Sequence, residues 1–137
     1  MGDSEIENWA RLDAKQLFSS AGAAILGMRL RIEKEVVVSV EDLHAPLQEA
    51  RRVFENRKFR EAYAKCDRVY RELGMRIGRW EKAAEARLEA IKQSHKPGKL
   101  QQLKIEIADV KRQSQGAFRL LSRLRGALDV MGHNPAT

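Results

Sequence analysis

The sequence predicts an all-α protein: an antiparallel bundle of about four helices, in which the last two are long and form a coiled-coil-like hairpin. Three observations predict it. Strong helix formers dominate a chain of 137 residues that has only three prolines. Apolar residues recur at alternating steps of three and four along most of it. The clearest break, SHKPGK at residues 94–99, is so short that the two patterns it separates must belong to antiparallel helices.

The length fits one domain, which we expect to span residues 1–137. The net charge of +7 is uneven: residues 1–50 carry nine acids and five bases, whereas residues 51–137 carry ten acids and twenty-one bases. The only cysteine is Cys66, which favours a reducing, cytoplasmic setting. The apolar run at residues 17–30 is too short to span a bilayer, so no integral membrane segment is expected.

The first helix is predicted at about residues 4–35, because apolar residues recur there mostly at steps of three and four. These residues are Ile6, Trp9, Leu12, Leu17, Ala21, Ala24, Ile25, Met28 and Ile32. Gly22 and Gly27 weaken the helix, and a break near them stays open. The β-branched Val36, Val37 and Val38 resist helix and predict a connector or a short extended stretch.

The second helix is predicted at about residues 40–56. Ser39 and Asp42 resemble a capping box at its start, and Pro46 either lies early in the helix or restarts it. Residues 50–62, ARRVFENRKFREA, resemble the inter-helix turn of a tetratricopeptide-repeat hairpin, in which an aromatic residue shortly before a small one, as Phe59 before Ala62, packs two helices together. The resemblance implies a tight helical hairpin.

The third helix, about residues 59–94, has a strict heptad seam. Its positions are Phe59, Tyr63, Cys66, Tyr70, Leu73, Ile77, Trp80, Ala84, Arg87 and Ile91. The phase passes through Gly74 and Gly78, so we predict a continuous helix there and no hinge. Each glycine costs about 1 kcal/mol relative to alanine. We therefore expect a neighbouring backbone, from the first helix or from a partner, to approach this strip, which makes Gly74, Gly78 and Trp80 candidates for partner binding.

The fourth helix, about residues 99–132, continues the same alternation of three and four. Its seam positions are Leu100, Leu103, Ile107, Val110, Ser114, Ala117, Leu121, Leu124, Leu128 and Met131. Phe118, Leu120 and Ala127 widen the stripe, as in a bundle helix that is buried against more than one neighbour. The first and second helices are the expected covers.

The sequence shows no arrangement typical of a catalytic or metal site. His44, His95 and His133 lack the spacing of four that lets two imidazoles share a metal on one helix face. Cys66 lies on the seam, where a buried hydrophobic role is favoured over a nucleophilic one. Glycine-rich phosphate loops are absent from the sequence. We predict that the protein is not an enzyme and uses no metal or cofactor.

Basic residues supply the candidates for binding an anion or nucleic acid. On the fourth helix they are Arg112, Arg119 and Arg123, and on the third Arg68 and Arg71. The competing interpretation is an ordinary solvated surface, in which these residues pair with nearby acids.

The preferred function is a non-enzymatic protein–protein interaction module: an adaptor, small helical chaperone or assembly subunit that binds another protein, or itself as a homodimer. Small bundles ending in a long amphipathic helix are similar in outline to flagellar and type III export chaperones. The alternative is a basic, nucleic-acid-associated helical protein, and a third candidate partner is an anionic membrane surface. Core packing is expected for Trp9 and Trp80, but whichever is exposed becomes the first candidate hot spot for a partner.

Overall fold

The structure, a computed structural model, describes residues 3–132, with side chains described from Trp9 onward. The described chain contains four helices: α1 (Asp3–Gly27), α2 (His44–Glu55), α3 (Phe59–Gln93) and α4 (Pro97–Gly132). Two short strands, β1 (Leu30–Ile32) and β2 (Glu35–Val38), lie between α1 and α2, and a 3₁₀ turn at Glu41–Leu43 leads into α2. The predicted all-α bundle with two long, closely packed helices is confirmed.

Each helix packs on the next one along the chain, and α1 closes the ring by packing on α4. Neighbouring helices are antiparallel. Near the end of α2, the rings of Phe18 and Phe54 lie 5.3 Å apart, whereas Gly22, further along α1, faces His44 at the start of α2. On the other side of α1, Asp13 faces Arg123 of α4. The shorter helices α1 and α2 therefore pack along part of the length of the two long helices.

The predicted seams of α3 and α4 lie in the core of the bundle. On α3 the seam is buried except at the half-buried Tyr63 and Tyr70 and the exposed Arg87. On α4 it is buried except at the half-buried Leu100 and Ile107. The helix runs without interruption through Gly74 and Gly78, as the phase predicts. Apolar burial along both seams is the main stabilising contribution to such a bundle.

The first helix ends at Gly27 and does not reach Glu35 as predicted. The chain instead forms a β-hairpin, with Leu30 opposite Val38 and Ile32 opposite Glu35. Leu30 and Ile32 are buried, so their spacing of two places them on one face of a strand. The break falls at one of the glycines that weaken the helical pattern, and the extended stretch includes the β-branched valines.

The hairpin turn, formed by Glu33 and Lys34, is held by long side chains of the two long helices. Both residues have a left-handed backbone, with φ of 53° and 70°. Their backbone N–H groups both donate to the carboxylate of Glu106 on α4. Arg87 of α3 donates to the carboxylate of Glu33 and lowers the pKa of that carboxyl. Arg87, although exposed at a seam position, thus stabilises the hairpin turn.

Strand β1 is joined to the bundle through Arg31. Its carbonyl accepts a hydrogen bond of 2.9 Å from the indole N–H of Trp80. Its guanidinium forms ion pairs with Asp109 at 2.9 Å and with Glu106 at 3.4 Å. The backbone and the side chain of one residue therefore connect the hairpin to both α3 and α4.

The entry into α2 differs from the predicted capping box. Val40 precedes the 3₁₀ turn and no side chain caps it. Asp42 instead pairs with Arg76 of α3, and this hydrogen-bonded guanidinium lowers the pKa of the Asp42 carboxyl. Pro46 lies in the first turn of α2, where its missing N–H disrupts no helical hydrogen bond.

Two short turns join the last three helices. Residues 56–58 connect α2 to α3, and the rings of Phe54 and Phe59 meet there with centroids 5.8 Å apart, forming the expected tight hairpin. Residues 94–96 connect α3 to α4, which begins at Pro97, a favoured residue for a first helical position. Arg57 and His95 in these turns have φ of 62° and 58°.

Candidate functional site

Three large apolar side chains are exposed on one open, concave surface. The exposed fractions are 69% for Trp9, 59% for Leu12 and 49% for Val130. The surface follows the outer side of residues 9–20 on α1 and continues onto residues 123–130 of α4 and onto Arg51 of α2. We call it the α1 surface. An exposed apolar cluster of this kind is typical of a binding site.

The position of Trp9 and Leu12 on α1 explains their exposure. The stripe that α1 buries consists of Ala14, Leu17, Phe18, Ala21, Ile25 and Met28. At about 100° per residue, Leu12 is a step of five from Leu17 and points about 140° away from it. Trp9 is a step of five from Ala14 and a step of nine from Phe18, so it also points away from the buried stripe. The sequence prediction that placed both in the core stripe is wrong.

The α4 part of the surface is formed by small residues. A Cβ added to Gly126 would have no atom within 4 Å, apart from its own helix and chain neighbours. The half-buried Ala127 follows it, and Val130 lies one turn further along. The surface therefore combines large protruding side chains on α1 with a low, open part on α4.

The charged residues of the α1 surface are mainly basic. From Trp9 onward, the charged residues that line it are Lys15, Arg51 and Arg123 together with one acid, Asp13. Arg123 and Asp13 approach only to 3.8 Å, and their side chains are 64% and 51% exposed. Arg51 pairs with Glu55 at 3.2 Å, and Lys15 forms no ion pair with another residue of the described part of the chain. Weak, solvated pairs of this kind leave the bases accessible to a partner.

Trp80, predicted as a candidate for partner binding, belongs to the core. Its side chain is fully buried and its indole N–H is satisfied by the carbonyl of Arg31. It offers no surface to a partner, so this candidate assignment is corrected. Trp9 takes its place as the exposed tryptophan.

Gly74 and Gly78 do not lie under a neighbouring helix backbone. A Cβ on Gly74 would lie 3.2 Å from Cε2 of Phe118, whose ring stacks on Tyr70 with centroids 4.4 Å apart. The expected contact with the first helix is therefore wrong, because an aromatic side chain of α4 takes that place. A Cβ on Gly78 would have no atom within 4 Å, again leaving aside its own helix.

Three of the five basic candidates pair with acids of the described chain. Arg112 pairs with Asp109, Arg71 with Asp67 at 2.8 Å, and Arg123 with Asp13. Arg68 and Arg119 are exposed and form no ion pair with another described residue.

The basic candidates do not form one continuous stripe. Arg125 reaches from α4 to Asp67 on α3 at 2.9 Å, and Arg71 shares that carboxylate. Arg123, two residues earlier on α4, points instead to Asp13 on α1. Arg71 and Arg123 thus lie on opposite sides of α4, because two residues of a helix differ by about 200° in direction.

Cys66 is buried, in agreement with its seam position. Burial raises the pKa of its thiol to about 12. A thiol with so high a pKa is almost entirely protonated at neutral pH, so it is a poor nucleophile.

The described residues provide neither a cluster of metal ligands nor a membrane-spanning helix. Within residues 3–132, no three His, Cys, Asp or Glu side chains are grouped so that they could hold a metal ion, and His133 lies outside this range. None of the four described helices is long and apolar enough to cross a membrane.

Comparison of the chain with protein-family models, with curated proteins and with solved structures finds no match. The fold and the α1 surface together define an antiparallel helical bundle with an exposed, basic and apolar face.

Proposed function

We propose that the protein is a non-enzymatic interaction module, in the manner of an adaptor, small chaperone or assembly subunit, which binds another protein through the α1 surface. The observation that carries the proposal is the joint exposure of Trp9, Leu12 and Val130 on one surface. The seams of α3 and α4 bury nearly all their apolar residues, so this exposure does not come from a poorly packed bundle.

Trp9 is the expected centre of the contact. Tryptophan is enriched among the residues that dominate binding energy, since it buries a large apolar area while losing few rotamers. Covering its exposed ring would contribute on the order of 3 kcal/mol from apolar burial.

The setting that we propose is cytoplasmic. The single cysteine supports it, because a chain that uses no intramolecular disulfide suits a reducing compartment.

Site-specific photo-crosslinking tests the proposal. A photoreactive amino acid replaces Leu12, and cells of the source organism are irradiated. We expect a discrete crosslinked product that is lost when Trp9→Ala is added. The matched control carries the same photoreactive residue at Met75 of α3, which is 62% exposed and lies away from the α1 surface. Equal products at both positions, or a Leu12 product that Trp9→Ala does not reduce, would contradict the proposal.

The Trp9→Ala variant is expected to fold normally. Substitution of an exposed side chain usually changes the free energy of unfolding by less than about 0.5 kcal/mol. Urea denaturation of the variant and of the original protein checks this, so that lost crosslinking is assigned to lost contact.

Nucleic-acid association stays a prediction from charge. The separation of Arg71 and Arg123 on opposite sides of α4 favours a protein partner over a continuous phosphate backbone. Titration with duplex DNA and with RNA at two salt concentrations tests this alternative, because several phosphate contacts predict a steep loss of affinity with salt.

A further inference from the structure

We infer that the partner of the α1 surface is an amphipathic helix whose apolar stripe is flanked by aspartate and glutamate. The inference rests on the proposed function and names the chemistry of the partner. Its evidence is the combination of exposed apolar side chains with an excess of basic residues on one elongated surface.

The charges of the surface call for an acidic partner. Among the residues whose side chains the structure describes, three bases, Lys15, Arg51 and Arg123, line it against one acid, Asp13. Arg51 belongs to α2 and Arg123 to α4, and these helices pack against α1. Basic side chains thus come from both neighbours of α1. A helix with acids along both sides of its apolar stripe can therefore pair with these bases.

The shape of the surface suits a helix. Its α1 part, residues 9–20, extends about 18 Å at 1.5 Å per residue, which is a little over three helical turns. The low region at Gly126 and Ala127 allows a helix to approach α4 closely beside the protruding Trp9. An amphipathic helix is usually recognised through apolar anchors on one of its faces.

A second copy of this chain fits less well. A two-fold contact would bring the same patch of both copies together, including Lys15, Arg51 and Arg123 of each. Each copy also carries a net charge of +7. Repulsion between like charges opposes that contact. An acidic helix is instead attracted to the basic surface.

A pair of synthetic peptides tests the inference. Both have about 18 residues and the same leucine stripe, flanked by glutamate in one peptide and by lysine in the other. Fluorescence anisotropy of the labelled peptides measures binding to the full-length protein. We expect binding of the glutamate peptide that weakens with salt, and much weaker binding of the lysine peptide. Trp9→Ala should weaken the affinity for the glutamate peptide about 30-fold.

Charge reversal supplies the second arm. The double variant Lys15→Glu and Arg123→Glu is expected to reverse the preference between the two peptides. Its matched control is the double variant Lys92→Glu and Lys96→Glu, at exposed positions near the α3–α4 turn, which should leave the preference unchanged. Circular dichroism confirms that both variants remain folded.

The remaining outcomes separate the inference from the proposed function. Equal, Trp9-dependent binding of both peptides would overturn the acidic partner but leave the interaction surface in place. Failure of both peptides would overturn the inference, and two further measurements then show what the surface binds instead. A Trp9-dependent dimer in light scattering would assign it to a second copy, and Trp9-dependent binding to vesicles of anionic phospholipid would assign it to a membrane. Peptide binding that Trp9→Ala leaves unchanged would remove the α1 surface itself.

Discussion

Gly74 and Gly78 occupy successive turns of α3, but their surroundings differ. The ring of Phe118 lies over Gly74, where an added Cβ would be 3.2 Å from the nearest ring carbon. Open space surrounds Gly78. The first glycine therefore serves the packing of an aromatic residue between α3 and α4, and nothing in the structure explains the second.

The two glycines predict different responses to alanine. Gly78→Ala should raise the free energy of unfolding by about 1 kcal/mol, because it removes the conformational entropy cost of glycine from a helix without creating a contact. Gly74→Ala should gain less, since the ring of Phe118 must shift. Urea denaturation of both variants measures the difference. Equal gains would show that Phe118 moves freely and that Gly74 has no packing role.

At the level of single residues, the sequence predicted buried positions better than exposed ones. The phase of α3 placed Trp80 and Cys66 in the core, where both are found. The same kind of pattern wrongly placed Trp9 and Leu12 in the stripe of α1, because both are apolar but out of phase with its buried residues. The step of five from Leu12 to Leu17 was the signal that could have identified both as exposed.

Among the elements of residues 3–132, the β-hairpin is the one that departs from the bundle pattern. Its turn is held by Glu106, whose carboxylate accepts hydrogen bonds from the backbone N–H groups of Glu33 and Lys34. The indole N–H of Trp80 donates to the backbone carbonyl of Arg31 and so holds β1. The hairpin is thus positioned by contacts with residues far away in sequence.

Substitution of Glu106 tests how the hairpin is held. Glu106→Ala should increase amide hydrogen exchange at Glu33 and Lys34, because both amides lose their acceptor. A loss of about 1 kcal/mol in the free energy of unfolding should accompany it. Exchange measured by mass spectrometry or NMR checks the first effect. Glu85→Ala on exposed α3 surface is the control, and equal exchange in the two variants would contradict the role of Glu106.

The hairpin could be predicted only in part. Three consecutive valines and Gly27 indicated that the first helix is interrupted and followed by extended chain. The turn itself carries Glu33 and Lys34 where a two-residue turn with left-handed backbone usually has asparagine or glycine. Its stabilising partners, Glu106 and Arg87, lie on other helices, and local pattern cannot reveal such contacts.

For the whole molecule, the described helices and β1 contribute to one continuous cluster of buried apolar residues. Trp80, Phe18 and Leu47 are among its largest fully buried side chains, from three different helices. A shared core of this kind predicts that α1 and α2 do not unfold independently of the long hairpin.

Unfolding in urea should therefore be a single cooperative transition. In a Trp9→Phe variant, Trp80 is the only tryptophan, and its fluorescence should follow the same curve as the helix signal in circular dichroism. Coincident midpoints are the expected result for one domain. A helix signal that persists after Trp80 becomes exposed would divide the chain into two units.

The α1 surface was beyond the reach of the sequence pattern at this scale. Its residues come from α1, α2 and α4, and only the packing order of the helices brings Arg51, Arg123 and Val130 to one face. The sequence shows the excess of basic residues after position 50. It does not show that these residues are divided between opposite sides of α4.

The left-handed turn residues have a practical consequence for engineering. Within residues 3–132, positive φ occurs only at Glu33, Lys34, Arg57 and His95, and at no glycine. Glycine adopts this backbone more readily than arginine or histidine, because it has no Cβ. The two helix–helix turns can therefore be redesigned at Arg57 and His95 without altering a helix or the α1 surface, which makes them suitable places for joining this bundle to other proteins or for inserting labels.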